Sequence, residues 1–408
     1  MHPRLEALMA RGRAAGITQR TARAIGGDGR TLVLEPTGQE VVSFATCSYL
    51  GLDRDPRLAE GAIAAIRAHG VALSASRCFV TSPLYAEADA ALAEVFGRPV
   101  VLAGSTTLAH GAALPILVER HDVVLFDRQV HHSVQTALAA LGSRGPRCVA
   151  LPHADLDALE LAVRDALAGG ARRVWYAADG IYSMFGDRLD VAGLAALMAR
   201  YPALYAYLDD AHGMSWCGRR GAGSLFDAGL PIDRTIIATS LAKGFGATGG
   251  VLVVPDRATK ERIENLGPSL MFSIQLPPAV LGAIVASARL HLTDELPAMQ
   301  AALAAVVDHA RARFADDPAI GPRLQRVVGA PTPVLYVTLG AADTVVGAAA
   351  DLLASGYLVN PVAFPAVPMD AGGLRVTLTR AHTRADVDGL VAAIGEAIAA
   401  AAPARKAG

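Results

Sequence analysis

The 408-residue chain contains three lysines, Lys243, Lys260 and Lys406; every other basic side chain is arginine or histidine. Lys243 lies in Ala238-Thr-Ser-Leu-Ala-Lys-Gly-Phe-Gly-Ala-Thr-Gly-Gly, between Arg234-Thr-Ile-Ile and Val251-Leu-Val-Val, two apolar runs that read as buried strands. A charged lysine is costly to bury there. A lysine that forms an imine with an aldehyde has a reason to occupy the place. Lys260, in the charged run Asp256-Arg-Ala-Thr-Lys-Glu-Arg, is expected on a solvated helix face, and Lys406 lies in the tail. Elimination therefore points to Lys243. The alternative is a surface lysine in a glycine turn.

Other reactive side chains recur where apolar runs end. Tyr205-Ala-Tyr-Leu leads into Asp209-Asp-Ala-His-Gly. A carboxylate buried at a strand end needs a cation or hydrogen-bond donors. The protonated ring nitrogen of pyridoxal phosphate is such a partner for Asp209, and the pairing keeps that ring an electron sink. His212, three residues on, could hold the ring's phenolic oxygen. A capped turn or a metal pair are the alternatives. A metal would want a further ligand at helical spacing, none adjoins, and no metal site is assigned.

Gly104-Ser-Thr-Thr-Leu-Ala-His opens a helix after a strand. Small hydroxyls and open amides at a helix start suit a phosphate, although capping selects the same residues. Thr239 and Ser240 could add donors. Asp127-Arg-Gln-Val-His-His-Ser supplies two histidines after another strand; one could stack on a flat ring, or both could be structural. Arg375, in Gly372-Gly-Leu-Arg-Val-Thr-Leu-Thr, is a lone charge in an apolar strand. An arginine so placed grips a carboxylate, either a substrate's or a neighbouring side chain's.

The elements that must position these groups alternate. Helical stretches at Pro56–His69, Tyr85–Phe96, Ser133–Leu141, Leu156–Leu167 and Val191–Arg200 are separated by short runs apolar on both faces: Val100-Val-Leu-Ala, Val123-Val-Leu-Phe, Cys148-Val-Ala-Leu, Arg173-Val-Trp-Tyr-Ala-Ala and Ala203-Leu-Tyr-Ala-Tyr-Leu. This is the pattern of an α/β fold with a helix-covered, mainly parallel sheet, whose ligands sit outside the carboxyl ends of the strands. Before it, residues 1 to about 30 read as an amphipathic helix with a turn at Gly26–Gly29, then a hairpin about Pro36-Thr-Gly. After it come a helix over Ala298–Phe314, a strand from Pro331, a helix over Val345–Ser355, a strand from Leu374 and a last helix over Arg384–Ala401. The expected division is an N-terminal segment 1–48, a large domain 49–288, a small α/β domain 289–402 and a mobile tail 403–408.

Composition narrows the classes. Thirty-seven basic residues against 38 acidic ones imply no polyanionic partner, so no nucleic acid. No uncharged apolar run reaches membrane-spanning length, and the start lacks a signal-peptide pattern. Cys47, Cys78, Cys148 and Cys217 are widely spaced, as in a cytoplasmic protein with reduced thiols.

The quoted stretches together resemble the α-oxoamine synthases, pyridoxal phosphate enzymes of fold type I, nearly end to end. Ser48-Tyr-Leu-Gly-Leu is similar to that family's Asn/Ser-Tyr-Leu-Gly-Leu. Asp127 to Ser133 is similar to its Asp-x-x-x-His-x-Ser, which implies ring stacking by His131. Asp179-Gly-Ile-Tyr-Ser-Met-Phe-Gly-Asp resembles Glu-Gly-Val-Phe-Ser-Met-Asp-Gly-Asp and implies a substrate contact at Asp179 and a cofactor contact at Ser183. Asp209-Asp-Ala-His resembles Asp-Glu-Ala-His, with Asp209 on the pyridinium and His212 on the phenolate. Ser240-Leu-Ala-Lys resembles Thr-x-x-Lys, with Lys243 as the Schiff base and Ser240 on the phosphate. Leu374-Arg-Val-Thr-Leu-Thr-Arg-Ala-His-Thr implies Arg375 on the substrate carboxylate. The Ser-Leu-Ala-Lys and Ile-Tyr-Ser variants lean toward the amino-ketone autoinducer synthases of that family.

The chain departs from the family pattern at Asp179, which replaces a glutamate, and in two further segments. The phosphate loop, usually Ser-Gly-aromatic-Ala-Ala-Asn, is here Gly104-Ser-Thr-Thr-Leu-Ala, so Ser105, Thr106 or Thr107 would substitute. In Phe272-Ser-Ile-Gln-Leu-Pro-Pro, Ile274 stands where the family has a threonine that reaches the partner subunit's phosphate, so that either Ser273 makes that contact or the contact is absent. The resemblance implies condensation of an amino acid with an acyl thioester, usually with decarboxylation, in a homodimer with sites at its interface. A same-fold aminotransferase or carbon–carbon lyase would need no acyl donor. A non-catalytic partner subunit would lack the lysine.

Overall fold

The structure, a computed structural model, describes residues 3–25, 27, 29–226, 229–327, 329–364 and 366–401. Lys406, the tail expected to be mobile, and Gly26 and Asp28 of the first turn lie outside them. The chain divides into two units: residues 1–51, 183–187 and 301–408 form one, and residues 52–182 and 188–300 form the other. The segment 1–48 therefore belongs with the C-terminal residues.

The first unit opens with α1 (Pro3–Ala14), shorter than the sequence suggests, because β1 (Thr21–Ile25) follows it. β1 pairs antiparallel with β2 (Thr31–Glu35), which forms the expected hairpin with β3 (Gln39–Ser43).

The second unit begins with α2 (Pro56–His69), whose start is set by local chemistry. The Asp55 carboxylate caps it by accepting from the Arg57 amide, and Pro56 takes the first turn, where no N–H is required. Next come α3 (Pro83–Phe96), β4 (Val100–Ala103), α4 (Thr106–Leu117), β5 (Val123–Asp127), α5 (His132–Gly142), β6 (Arg147–Leu151), α6 (Leu156–Ala168), β7 (Val174–Asp179), α7 (Val191–Arg200), β8 (Leu204–Asp209), β9 (Thr235–Ser240), β10 (Gly250–Val253), α8 (Arg257–Leu266) and α9 (Pro278–His291). Seven strands form one sheet in the order β4-β10-β9-β8-β7-β5-β6. Only β10 runs antiparallel to its neighbours.

Alternation along the strands sends side chains to two cores. Leu102, Leu125, Tyr176, Ala178 and Leu208 pack with residues of α3, α6, α7 and α9. Val101, Val124, Trp175, Ala177 and Tyr207 pack with α4, α5 and α8. The sheet is thus apolar on both faces, which is why its strands read as continuous apolar runs. α9 has nine buried residues and is hydrophobic around much of its circumference.

The chain then follows α10 (Glu295–Asp316) into β11 (Val334–Gly340), α11 (Ala342–Ala354), β12 (Tyr357–Leu358), β13 (Asn360–Val362), β14 (Gly372–Thr377) and α12 (Arg384–Ala401). β12 joins the first sheet beside β3, and β11-β14-β13 forms a third.

Lys260 is a correction. Its side chain is only 16% exposed. Its amine donates to the Val100 carbonyl at 2.8 Å and pairs with Asp89 and, at 3.8 Å, with Glu264. It reaches across from α8 to α3 and β4 instead of standing in water.

Candidate active site

At the carboxyl ends of the strands one cavity of about 270 Å³ is lined by Ser105, Thr106, Thr107, His131, Asp179, Asp209, His212, Ser240 and Lys243. Nine of the residues singled out in the sequence therefore meet in one place. Ser133, Ile181 and Thr248 also line it.

Lys243 sits in the turn from β9 to β10. Ser240 Oγ accepts from the Ala242 amide at 3.1 Å, and the Gly246 amide donates to the Lys243 carbonyl at 3.0 Å. Gly246 has φ +79°, and a Cβ there would lie 2.4 Å from the Leu52 carbonyl carbon, so the turn needs glycine.

Thr106 and Thr107 form the first turn of α4. Ser105 caps it, its hydroxyl accepting from the Leu108 amide at 3.2 Å. The Thr106 and Thr107 amides make no hydrogen bond to any described residue. Open donors at the start of a twelve-residue helix, on a cavity wall, form an anion cradle. Gly250 presses against it: a Cβ there would lie 2.4 Å from the Thr106 nitrogen.

His131 caps α5, with Nδ1 2.7 Å from Ser133 Oγ, and its amide donates to Asp179 Oδ1 at 3.1 Å. Crowding by protein atoms and the charge of Lys243 hold its imidazole below the usual histidine range, against the pull of Asp209.

Asp179 and Asp209 end β7 and β8 in register, so their side chains leave the same face. Burial, then the charge of Asp209, pushes Asp179 well up. Burial also pushes Asp209 up, but hydrogen bonding from His110, the charge of Lys243 and the Ala211 amide outweigh it, leaving Asp209 below the usual carboxylate range.

His110 was not singled out from the sequence. It is fully buried, with Nε2 3.1 Å from Asp209 Oδ2 and Nδ1 2.8 Å from Tyr207 Oη. Two regularities signal the cluster: His110 follows Thr106 by one helical turn, and Tyr207 precedes Asp209 by one strand period.

Arg375, Ser183 and Ser273 do not line this cavity. Arg375 and Ser183 lie in the first unit, where Arg375 is buried and Nε donates to the Ser183 carbonyl at 2.6 Å. One terminal nitrogen donates to Thr377 Oγ1 at 2.9 Å, and the other is 3.7 Å from Cys47 Sγ. Among the described residues no carboxylate pairs with Arg375, so the side-chain alternative is not realised there. Ser273 lies in the segment where Ile274 bridges to Ser76.

The cavity presents open amides at the start of α4, the buried carboxyl of Asp209 and the amine of Lys243, a donor set that an anion, a cation and an aldehyde would fit. Pyridoxal phosphate carries all three, and the fold and donor set together define a pyridoxal phosphate enzyme of fold type I.

Comparison with known proteins narrows the class. The profile of the family Aminotransferase class I and II matches residues 39–394. The chain is 33% identical over 384 residues to the 8-amino-7-oxononanoate synthase of Geobacter sulfurreducens, covering 94% of each chain. It is 34% identical over 370 residues to that of Alkalilimnicola ehrlichii, covering 90% of each. The fold is similar to Sphingomonas wittichii serine palmitoyltransferase, with a TM-score of 0.85 at 20% identity over 97% of this chain and 98% of that one. The chain belongs to the α-oxoamine synthase family, which condenses an amino acid with an acyl thioester.

Proposed function

We propose that this cavity is the catalytic centre of a decarboxylating α-oxoamine synthase that joins an amino acid to an acyl group carried on coenzyme A or a carrier protein, releasing an α-amino ketone. The observation that carries the reading is the meeting of Lys243, His131 and Asp209 around an anion cradle.

When bound, pyridoxal phosphate supplies an electron sink for a carbanion beside the amino nitrogen. Lys243 anchors it and takes the proton from the amino acid's α-carbon. Asp209 holds the proton on the ring nitrogen, and His212 donates to the phenolic oxygen. The Thr106 and Thr107 amides, with the Ser105 and Ser240 hydroxyls, hold the phosphate. His131 would stack on the ring and hydrogen-bond the carboxylate or the acyl oxygen, and Asp179 would contact substrate. Arg375 grips the amino-acid carboxylate, with Ser183 fixing the guanidinium through its carbonyl. Ser273 reaches the phosphate in a second copy, which makes the working unit a homodimer. The setting is the cytoplasm.

The test uses purified protein loaded with pyridoxal phosphate. Borohydride reduction should leave the cofactor fixed to the peptide containing Lys243. Pairs of amino acids and acyl thioesters should then be screened for free thiol and carbon dioxide. Thiol release that requires the amino acid supports the reading. Transamination of a keto acid with no thiol released from any pair overturns it.

A further inference from the structure

Asp179 and Asp209 raise a question of proton allocation. Two in-register carboxyls at the buried ends of neighbouring strands do not both ionise readily. The donors around them are unequal. Asp209 faces His110 Nε2 at 3.1 Å and accepts from the Ala211 amide at 2.9 Å. Among the described residues, Asp179 accepts only from the His131 amide. Lys243, His131, Asp210 and Asp127 also act on the pair, from the β9–β10 turn, the α5 cap, the residue after β8 and the end of β5.

The third member of the Asp209 cluster is Tyr207. With Asp209 ionised it can only accept, and the His110 nitrogen facing it then carries the hydrogen. A neutral ring then has a lone pair on Nδ1, and Tyr207 Oη at 2.8 Å is the group placed to donate to it. Helix α4 and strand β8 thus form a buried chain, Tyr207 O–H to His110 Nδ1 and His110 Nε2–H to Asp209.

We propose that His110 and Tyr207 are positioning residues that make Asp209 the ionised and Asp179 the protonated member of this carboxyl pair. The cavity then contains a neutral acid at Asp179, able to donate to a carbonyl or carboxylate oxygen of the reactants, beside a permanent anion at Asp209. The value of this arrangement rests on the proposed pyridoxal phosphate chemistry; the proton allocation belongs to the protein alone.

The experiment therefore begins without cofactor. Carbon-13 carboxyl spectra of aspartate-labelled protein, assigned with Asp179→Asn and Asp209→Asn, are followed against pH, and nitrogen-15 spectra report the His110 tautomer. Asp209 is expected to remain ionised and Asp179 protonated at neutral pH, with His110 hydrogen on Nε2. His110→Met should raise the titration of Asp209 and lower that of Asp179, and should weaken pyridoxal phosphate binding about 10- to 100-fold. His110→Gln, whose amide can still donate to Asp209 and accept from Tyr207, should restore most of both. Tyr207→Phe removes only a hydroxyl and should shift the carboxyls in the same direction by less, which keeps the test open if His110→Met does not fold. An ionised Asp179 beside a protonated Asp209, an imidazolium at His110, or carboxyl titrations indifferent to both variants would overturn the proposal. Wild-type protein that shows the expected titrations but binds no pyridoxal phosphate would leave the allocation standing and sink the proposed function instead.

Discussion

Lys243 and Lys260 are both partly enclosed, and only their surroundings separate them. The Lys260 amine is consumed by Asp89, Glu264 and the Val100 carbonyl. Lys243 shares a cavity with His131, Asp179 and Asp209. Lys260→Ala should therefore cost stability, about 1 kcal/mol by thermal or urea unfolding, because it takes the ammonium from Asp89 and the Val100 carbonyl while Glu264 keeps Arg77. Its turnover per folded molecule should be unchanged. Lys243→Ala should do the reverse, leaving the unfolding midpoint of cofactor-free protein nearly in place and cutting turnover by about 10³-fold or more. Comparable losses of activity in both variants would remove the distinction.

A second prediction at this scale concerns Asp210, whose carboxylate accepts from the Ser224 hydroxyl and amide, both at 2.6 Å. Burial pushes it from the ordinary 3.8 up to about 7. Between those values the native state keeps a proton that the unfolded chain has lost. Its contribution is therefore greatest at acid pH and falls as pH rises toward about 7. Asn at this position stays neutral, and the Ser224 hydroxyl can rotate to accept from its amide. Melting points of cofactor-free protein at pH near 5 and near 8 should lie closer together in Asp210→Asn than in wild type. An unchanged gap would show that Asp210 is already ionised in the native state.

Elements carry the constraints that single residues do not reveal. α2 and α9 touch through glycine: a Cβ on Gly282 would lie 2.2 Å from the Gly61 carbonyl oxygen, and one on Gly61 would lie 2.7 Å from that of Gly282. Backbone meets backbone, so a methyl group has no flexible neighbour to displace. Gly282→Ala should lower unfolding free energy by about 1–3 kcal/mol by forcing the helices apart. Gly250→Ala should act locally, because its Cβ would meet the Thr106 amide that opens α4. Pyridoxal phosphate binding weakened beyond whatever the melting point of cofactor-free protein loses is the expected pair of readings.

How much of this was legible in the chain follows from the same contacts. The doubly covered strands of the large sheet declared themselves because neither face meets water, and α2 declared its start through Asp55 and Pro56. α9 offered no polar stripe, since it is buried on many sides. β1 was hidden because its burial pattern lacks a buried residue, so its pairing with β2 left no apolar alternation to read. Most of the cavity was legible because its residues terminate strands. His110 and Tyr207 were not, because each is an ordinary core position until the helix crosses the strand. Lys260 was misplaced for a related reason: a charged run predicts solvent, whereas the partners that enclose it come from α3 and β4.

At the scale of the whole molecule, the question is what covers the apolar surface around residues 71–80 and 272–274. Val71 is 76% exposed, Phe79 74%, and Phe272 and Ile274 71% each. Phe79, Phe272 and Ile274 are not scattered. Ile274 bridges to Ser76, and the rings of Phe79 and Phe272 have centroids 6.0 Å apart. A contiguous patch of large side chains is a recognised mark of an interface. It also adjoins Ser273, the residue proposed to serve the phosphate of a second copy. One surface would then both build the dimer and complete its sites. Phe272→Asp places a charge in that patch at no cost to either core. By sedimentation equilibrium in the micromolar range the proposed dimer of the wild type should give way to a monomer, with the far-ultraviolet circular dichroism unchanged. Turnover should fall with the dimer and recover in part as protein concentration is raised. A Phe272→Asp protein that remains dimeric and fully active would place the subunit contact elsewhere and leave Ser273 without its proposed role.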